Sequence, residues 1–506
     1  MGDRRPEHPG AQEGEHLAGS RAQKKTAGGL LAEFEALFEE AGGAFCQQRS
    51  HERARVLALS QLVCLGRHTV TGLLCASGRQ FSDWSADYRL FSRERFDKDA
   101  IFDVVRRGVL AELPDGEPLV VGLDDTLLPK RGVRIPGVKW RKDPMGPPFQ
   151  VNLLRAQRVL QMSAAVPQGE GPSVARMIPI DFCHAPTPPK PRKGSPPEAW
   201  DAYKKEAAAA NLPALAARHV RALRAKLDEE GQAERDLWIV ADGGYTNRHF
   251  LKEIPRGVTV IGRIRGDARL HYPPSAERPA GTRGRKRVYG EEAGTPDGLR
   301  QEDGVPWRAV KVFAAGRVHD FRVKVFSPLL WRASGGTPLR LVVIAPLAYR
   351  PRKRSRLLYR KPAYLISTDL DTPVERIVQA YVWRWDVEVN FRDEKQLIGV
   401  GEAQVRSESS VENAPALGVA AYAMLLLAAR RAFASGPIPG ALPAPKWRPA
   451  AKVRLTTQDL IRQLRAELWG KGLAGGNFSG FVQHKHSDGK PRKFDVPLAS
   501  AVLYAA

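Results

Sequence analysis

The chain has 506 residues, of which 79 are lysine or arginine and 55 are aspartate or glutamate, so its formal net charge is +24. With 43% hydrophobic residues, the sequence excludes a disordered protein, a collagen-like fibre and a small disulfide scaffold, and its length indicates about three domains. The excess of positive charge argues against an ordinary metabolic enzyme and favours a polyanionic partner such as nucleic acid. Four cysteines without metal-ligand spacing agree with a reducing cytoplasm.

The first 112 residues divide into a polar tail and a helical region. Residues 1–28 are polar and Gly-rich and lack the apolar stretch of a signal peptide, which predicts a disordered tail. Residues 29–112 carry apolar side chains at helical spacing and predict an N-terminal helical domain, which we expect to be a DNA-binding domain because of its segment 66–80. Within it, the polar and basic residues 66–80 are compatible with a DNA-binding helix-turn-helix and also with an ordinary turn between packed helices.

Strands and helices alternate over residues 113–269. The predicted elements are strands at 119–123, 149–166, 174–182, 237–240 and 258–264, and one long helix at 199–229. The first of these strands ends in Asp124, Asp125 and Thr126, and Asp242 follows the fourth. This alternation predicts an α/β fold with a partly parallel sheet, and residues 113–269 form the first part of its core.

The rest of the chain predicts three further regions. They are a β-rich insertion at 270–362, with loop at 266–306, a second part of the core at 363–434, and a linker with a C-terminal helical region at 435–506. In the second core part, Thr372 is a suitable N-cap for a helix, Pro373 suits its first position and Glu375 completes a capping box. The apolar run at 415–429 predicts a buried helix. The final helix could serve dimerisation or close the core.

Acidic residues follow two apolar strands and lie on the later helix. Asp124, Asp125 and Asp242 stand at strand ends, and Glu388 lies in the helix that begins near Thr372. Ligand sites in open α/β sheets gather at the carboxyl ends of strands, and clustered carboxylates suit Mg²⁺. Two such ions could act on a phosphodiester bond. An Asp at a strand end is also a common turn or cap residue, and Glu388 could belong to a solvated charge ladder on its helix.

The helix around Glu388 presents four functional residue types on one narrow face. At about 100° per residue, Tyr381, Arg384, Glu388 and Lys395 share an arc of roughly 60°. Such a face could supply one metal ligand together with cations for a phosphate backbone.

This spacing, Tyr-x2-Arg-x3-Glu-x6-Lys, resembles the signature of bacterial insertion-sequence DDE transposases that carry an all-β insertion in a ribonuclease H-like core. Asp124 with Thr126, and Asp242 with the following Gly, resemble the motifs of that family's first and second acids. The order Asp, Asp, β-rich insertion and Glu is also the family's order. The resemblance covers roughly residues 115–430, and it implies a ribonuclease H-like mixed sheet flanked by helices.

The resemblance also implies an activity and a set of site residues. The expected protein is a transposase that cleaves DNA at an element's terminal inverted repeats and transfers the 3′ ends into target DNA. Asp124, Asp242 and Glu388 would be the metal ligands for Mg²⁺ or Mn²⁺, as two ions, and Tyr381, Arg384 and Lys395 would contact phosphates of the transposon end. The partner would be double-stranded DNA, bound by a homodimer in the bacterial cytoplasm at the nucleoid.

Several questions stay open at the level of sequence. The Asp-x-Thr pattern favours Asp124 over Asp125 as the first acid, and strand alternation places the two side chains on opposite faces. Arg352, Lys353, Arg354 and Arg356 form a basic loop that could track a DNA backbone or could simply solubilise the surface, as could the basic residues at 283–287. Trp383 and Trp385 could stack on bases or belong to the core. The alternative to a transposase is a domesticated DNA-binding protein without catalysis on the same scaffold.

Overall fold

The fold was analysed in a computed structural model that describes residues 29–143, 146–147, 149–275, 286–352, 354–433, 454–474 and 502–503. The helices are α1 (Leu30–Glu40), α2 (Gln48–Val63), α3 (Val70–Ala76), α4 (Ser85–Ser92), α5 (Lys98–Ala111), α6 (Pro197–Ala209), α7 (Leu212–Glu229), α8 (Arg248–Leu251), α9 (Pro296–Arg300), α10 (Val374–Trp383), α11 (Trp385–Gln396), α12 (Glu408–Phe433) and α13 (Thr457–Ala474). The strands are β1 (Leu119–Pro129), β2 (Lys139–Lys142), β3 (Leu153–Pro167), β4 (Ala175–His184), β5 (Leu237–Ala241), β6 (Val258–Arg263), β7 (Leu270–His271), β8 (Glu292–Gly294), β9 (Arg308–Ala314), β10 (Arg317–Trp331), β11 (Pro338–Ile344), β12 (Ala348–Tyr349), β13 (Leu358–Tyr359) and β14 (Ala363–Ser367).

One large mixed sheet organises the described residues. Its centre has the strand order β4-β3-β1-β5-β6, in which β1, β5 and β6 run parallel and β3 and β4 run antiparallel to their neighbours. This is the arrangement of a ribonuclease H-like sheet, and it confirms the predicted fold class. Beyond β6, the sheet continues through β14, β11 and β10. The long strands of the predicted β-rich insertion therefore extend the core sheet.

The two faces of the sheet are covered by different helices. Alternate residues of β1 point to opposite faces: Val121 packs in a core with the N-terminal helices, α7 and α12, whereas Val120 packs in a core with α10 and α11. The apolar helix α12 is the one helix among the described residues that is long and apolar enough to cross a membrane, and 83% of its most apolar window is buried inside the protein. It is thus the buried core helix that the sequence predicts. Helix α13 closes the same core with Leu460, Ile461 and Leu464.

A glycine lets α11 lie close against the sheet. Gly122 stands on β1, and a Cβ there would come within 2.8 Å of a Val387 methyl carbon and within 2.6 Å of the Met177 methyl carbon. Neither side chain could stay in place beside a larger residue, because interiors are close-packed. Gly122 therefore fixes the spacing between β1 and the helix that carries Glu388.

Several predicted elements differ from the observed ones. The strand predicted at 119–123 is longer than expected: β1 continues to Pro129, because its polar residues still pair with β3. The predicted helix at 199–229 is two helices, and the Asn211 side chain caps the second. The region predicted as loop at 266–306 holds the short elements β7, β8 and α9. Short elements of two to five residues carry too little periodicity to be seen in a sequence.

The helix predicted to start at Thr372 is two helices, α10 and α11, which meet at Arg384. At this junction the Val387 N–H donates to the Arg384 carbonyl, three residues back. The predicted N-cap is also displaced. Thr372 is held by the carboxylate of Asp369, which accepts from its N–H and hydroxyl, and Pro373 takes the cap position without a side-chain bond.

Candidate active site

Asp124 and Asp242 lie side by side on neighbouring parallel strands. Leu123 of β1 is in register with Ala241 of β5, so the two aspartates that follow them occupy adjacent positions. Asp242 is the first residue after β5, and its Oδ1 accepts the Gly244 N–H at 2.8 Å. Asp124 remains within β1 opposite Gln161. The structure thus brings together the first two of the three predicted acids.

Arg384 connects these acids to the third. Its Nη1 donates to Oδ2 of Asp124 at 2.8 Å, and its Nη2 lies 3.6 Å from Oε1 of Glu388, one helical turn further along. The guanidinium is buried and also lies over the ring of Tyr381, 5.7 Å from its centroid. The alternative of a solvated charge ladder around Glu388 holds only in part: Arg384 pairs with Glu388, but its guanidinium is buried against Asp124, and Arg392 pairs with Asp393.

The carboxyl group of Asp124 is strongly perturbed by its surroundings. Burial raises its pKa to about 7, and the neighbouring charges of Asp242 and Asp125 act in the same direction. Arg384 and the N–H of Asp125 oppose this rise. A pKa near neutrality means that the charge of Arg384 does not fully offset the cost of burying the Asp124 carboxylate beside the carboxylate of Asp242. Such a site favours additional positive charge.

Asp125 has a separate environment. Its Oδ1 accepts the hydroxyl of Tyr245 at 2.8 Å, and burial raises its pKa while this hydrogen bond opposes the rise. Tyr245 is itself buried in the core with the N-terminal helices and α12. Asp124 instead lies on the face covered by α11. The predicted placement of the two aspartates on opposite faces is therefore confirmed.

The other two residues of the predicted helix face also approach the sheet. The Lys395 ammonium donates to the hydroxyl of Thr126, and Lys395 is half-buried. Burial lowers its pKa, while Glu394 and Asp143 oppose the change. Burial likewise raises the pKa of Tyr381, opposed by the nearby charge of Arg384. The Lys395 ammonium thus lies beside Thr126 of β1, and the Tyr381 ring lies beside Arg384, the residue that binds Asp124.

The opposite side of α11 is anchored by buried polar contacts. Asp386 accepts from both Nη atoms of Arg454, at 2.6 and 2.5 Å, and Asp393 accepts from the Thr457 hydroxyl at 2.7 Å. Arg454 and Thr457 belong to the C-terminal region whose role the sequence left open. These contacts hold the orientation of α11, and with it the position of Glu388.

Further buried contacts tie α11 to the sheet. The Asn390 amide donates to the Met177 carbonyl at 2.9 Å. Glu394 accepts from Gln161, the cross-strand neighbour of Asp124, at 2.9 Å. Burial raises the pKa of Glu394 to about 8. The helix is therefore held by hydrogen bonds to β3 and β4 as well as by the packing at Gly122.

The donors present agree in kind with a divalent metal ion, since Mg²⁺ binds carboxylate oxygens. Asp124 and Asp242 are adjacent, and Asp124 favours more positive charge. Within the described part of the chain, however, no three His, Cys, Asp or Glu side chains are close enough together to hold an ion. Arg384 lies between Asp124 and Glu388 in the position of a shared cation.

The predicted basic loop leaves the sheet at the edge where the acids lie. It forms the small β12–β13 hairpin between β11 and β14, and Ala363 of β14 pairs with Ile344 beyond the C-terminal end of β6. Arg352, Arg354 and Arg356 are exposed there. Lys353 lies outside the described residues, as do positions 283–285 of the other basic segment. The hairpin is removed from Asp242 by about three strand spacings, or ~14 Å.

The sequence left alternatives open for two tryptophans, Trp383 and Trp385, and for the segment 66–80. Trp383 is partly buried, and its Nε1 donates to the Ser173 carbonyl at 2.8 Å. Trp385 is 63% exposed, so of the two alternatives it does not belong to the core. In the segment 66–80, α3 is seven residues long and is capped by the Thr69 side chain. Its buried side chains, Val70, Leu73 and Leu74, pack in the helical core.

Residue patterns alone did not reveal two members of this site. Tyr245 follows Asp242 by three residues and reaches Asp125. Arg263 ends β6, the strand next to β5, and its charge acts on Tyr381. Its place at the end of a parallel strand is the one signal that could have identified it.

Comparison with known proteins places this chain in a family. A sequence model described as DDE superfamily endonuclease matches residues 43–322, more than half of the chain. The match includes Asp124 and Asp242 and ends before Glu388. No curated protein matched the chain. Members of this family act on DNA and generally use divalent metal ions. The chain therefore belongs to the DDE superfamily endonucleases and is a DDE transposase-type protein with a ribonuclease H-like core.

Proposed function

We propose that the protein is the transposase of a bacterial insertion sequence, which cleaves DNA at the element's terminal inverted repeats and joins the 3′ ends to target DNA. The observation that carries this proposal is the line of Asp242, Asp124 and Glu388, connected by Arg384 at one edge of the sheet. The net charge of +24 supports a DNA substrate.

Asp124, Asp242 and Glu388 would hold two Mg²⁺ or Mn²⁺ ions. Such ions supply activation of the attacking oxygen and stabilisation of the leaving oxygen in phosphodiester chemistry. Glu388 is 42% exposed, so it has room to move toward the aspartates, provided that Arg384 finds another anion. A phosphate of the bound DNA is that anion.

The helix face supplies the remaining groups. Tyr381, Arg384 and Lys395 would bind phosphates of the transposon end and orient the scissile bond against the acids. Arg384 suits this role because its planar guanidinium can bind a phosphate through two hydrogen bonds. Lys395 is held beside β1 by Thr126 and would contribute a second positive charge.

The exposed basic residues Arg352, Lys353, Arg354 and Arg356 would continue the contact with the DNA backbone. Contacts of this kind predict a steep decrease of affinity with salt. The active form would be a homodimer that holds two element ends, in the bacterial cytoplasm at the nucleoid. The N-terminal helical domain at 29–112 would take part in recognition of the end.

The test is cleavage of DNA that carries the sequences flanking the gene. Asp242→Asn and Glu388→Gln should abolish Mg²⁺-dependent cleavage while binding persists. Glu375→Gln removes an exposed carboxylate from the adjacent helix α10 and serves as the matched control, with unchanged cleavage. Full cleavage by Asp242→Asn would refute the assignment. Binding without cleavage by the wild-type protein would support the non-catalytic DNA-binding alternative.

A further inference from the structure

A second surface, distinct from the helix face, combines apolar and basic side chains. The β2–β3 hairpin comprises β2, residues 153–156 of β3 and the described residues of the connection between them. Four of its apolar side chains are largely exposed: Trp140 (66%), Phe149 (82%), Val151 (80%) and Leu153 (56%). Exposed apolar side chains that stand together on a surface, rather than singly, are typical of an interaction site.

This surface lies on the same face of the sheet as Asp124. Asp124 pairs with Gln161 on β3, and Trp140 pairs with Arg155 on the same strand. Directly opposed residues share a face, and so do residues separated by an even number along a strand. Gln161 and Arg155 are six residues apart, so the face that holds Asp124 continues along β3 to Trp140. The distance along the strand is about 20 Å.

The same face of the hairpin is basic. The guanidinium of Arg155 lies over the ring of Trp140, 6.0 Å from its centroid. Lys142 pairs with Leu153, so an aromatic ring, an aliphatic side chain and two cations alternate on one surface. This alternation is the composition of proteins that bind single-stranded nucleic acid, in which aromatic rings stack on bases and cations neutralise phosphates.

The other face of the hairpin holds it in position. Lys139 donates to the Pro188 carbonyl at 2.5 Å, and Arg141 donates to the Thr187 hydroxyl at 3.3 Å. Asp143, at the end of β2, lies near enough to Lys395 for its charge to act on that ammonium. The exposed surface is therefore presented by a fixed element that reaches toward the proposed phosphate contacts.

We propose that the β2–β3 hairpin binds an unpaired DNA strand that continues from the scissile phosphate, with a base stacked on Trp140 and phosphates held by Arg155 and Lys142. This inference rests on the proposed function for the location of the scissile phosphate. A second copy of the chain is a poorer occupant, because the same cations would then face each other. The path of about 20 Å along β3 requires an unpaired strand of several nucleotides.

The experiment compares affinities of the full-length protein in EDTA for a duplex, a fork with two unpaired nucleotides and a fork with eight. Fluorescence anisotropy gives the Kd of each DNA, and the ratio of fork to duplex affinity is the readout. Trp140→Ala should weaken binding of the eight-nucleotide fork about tenfold and change duplex binding less than about twofold. Trp140→Phe should keep most of the preference. Val318→Ala, an exposed apolar residue on β10, is the matched control.

The outcomes separate this inference from the proposed function. Asp242→Asn should keep the fork preference, and if it also kept full cleavage, the proposed function would fail while the hairpin assignment stood. An equal loss by Trp140→Ala on all three DNAs, or no loss, would overturn the inference. Conversion of a dimer into a monomer by Trp140→Ala without DNA would also overturn it and assign the surface to self-association.

Discussion

The guanidinium of Arg384 lies 2.8 Å from a carboxylate oxygen of Asp124 and is only 10% exposed. The sequence assigned Arg384 to a DNA phosphate, whereas the structure shows it neutralising an acid of the candidate site. Both roles use the same planar charge. A DNA phosphate would therefore compete with Asp124 for Arg384, and DNA binding would be coupled to a rearrangement among the acids.

The Arg384–Asp124 pair should be visible in stability. Arg384→Gln leaves the buried carboxylate of Asp124 without its cation, and we expect a loss of about 1–3 kcal/mol near pH 8. Adding Asp124→Asn removes the stranded charge, so the double variant should be more stable than Arg384→Gln alone. Urea unfolding of the wild-type protein, the two single variants and the double variant measures the interaction energy between the two side chains. Additive effects would show that the pair contributes no net interaction.

The two neighbouring aspartates should differ in activity. Asp124 faces Arg384 and α11, so Asp124→Asn should reduce Mg²⁺-dependent cleavage by at least about 10³-fold if it holds a metal ion. Asp125→Asn can still accept the Tyr245 hydroxyl and should keep cleavage within about tenfold of wild type. Tyr245→Phe tests this second environment independently. The reverse order of effects would make Asp125 the first acid.

Lys395 should act in DNA binding with little effect on folding. Among the described residues its side chain has one hydrogen bond, to Thr126, so Lys395→Ala should change the free energy of unfolding by less than about 1 kcal/mol. The variant should bind DNA more weakly, with the salt dependence reduced by about one phosphate contact. Thr126→Val removes the hydrogen bond and keeps the charge, so it should bind DNA nearly normally. Unfolding of Lys395→Ala would instead indicate a structural role.

Glu394 should make stability depend on pH. Burial raises its pKa from 4.5 to about 8 in the folded protein, so the folded state keeps a proton that the unfolded state loses. Stability from this group is fully present below pH 4.5 and is lost as pH rises through 8. Glu394→Gln should leave stability unchanged at pH 4 and increase it at pH 9, by at most about 5 kcal/mol. Thermal unfolding at both pH values measures the difference, and equal shifts would contradict the assignment.

The contact between Arg454 and Asp386 should stabilise the helix that carries Glu388. These side chains are 21% and 15% exposed, so Arg454→Met should cost about 2–4 kcal/mol and reduce cleavage as α11 loses an anchor. Lys204→Met removes a cation from a pair that is 71% and 72% exposed and should change stability by less than about 0.5 kcal/mol. Equal effects of the two variants would refute an anchoring role. Chemical denaturation and cleavage assays measure both quantities.

The sequence predicted the features that depend on local patterns. Apolar runs located β1, β5 and β6, and the acids after or within them followed from the rule that sites lie at strand ends. Helical periodicity placed Tyr381, Arg384, Glu388 and Lys395 on one face, and the residues do meet the sheet along one line. These features are short-range, so spacing alone contained the information.

Helix and strand limits were less accessible. The strand β1 continues past Asp124 because β3 pairs with its polar residues, although its apolar pattern stops at Leu123. The helix breaks at Arg384 where that side chain turns toward Asp124. In both places tertiary contacts overrode the local pattern, as is common at candidate functional sites.

The sequence by itself determined the fold class, because the alternation of strands and helices is a local pattern, and its motifs carried the resemblance to the family. It also predicted a set of candidate site residues. Only the tertiary structure decided which partner each residue has. Arg384 meets Asp124 across 260 positions, and Arg454 meets Asp386 across 68. No local pattern encodes such pairs, since they form when the sheet and its covering helices are packed together. That packing placed Asp124, rather than Asp125, against the helix of Glu388.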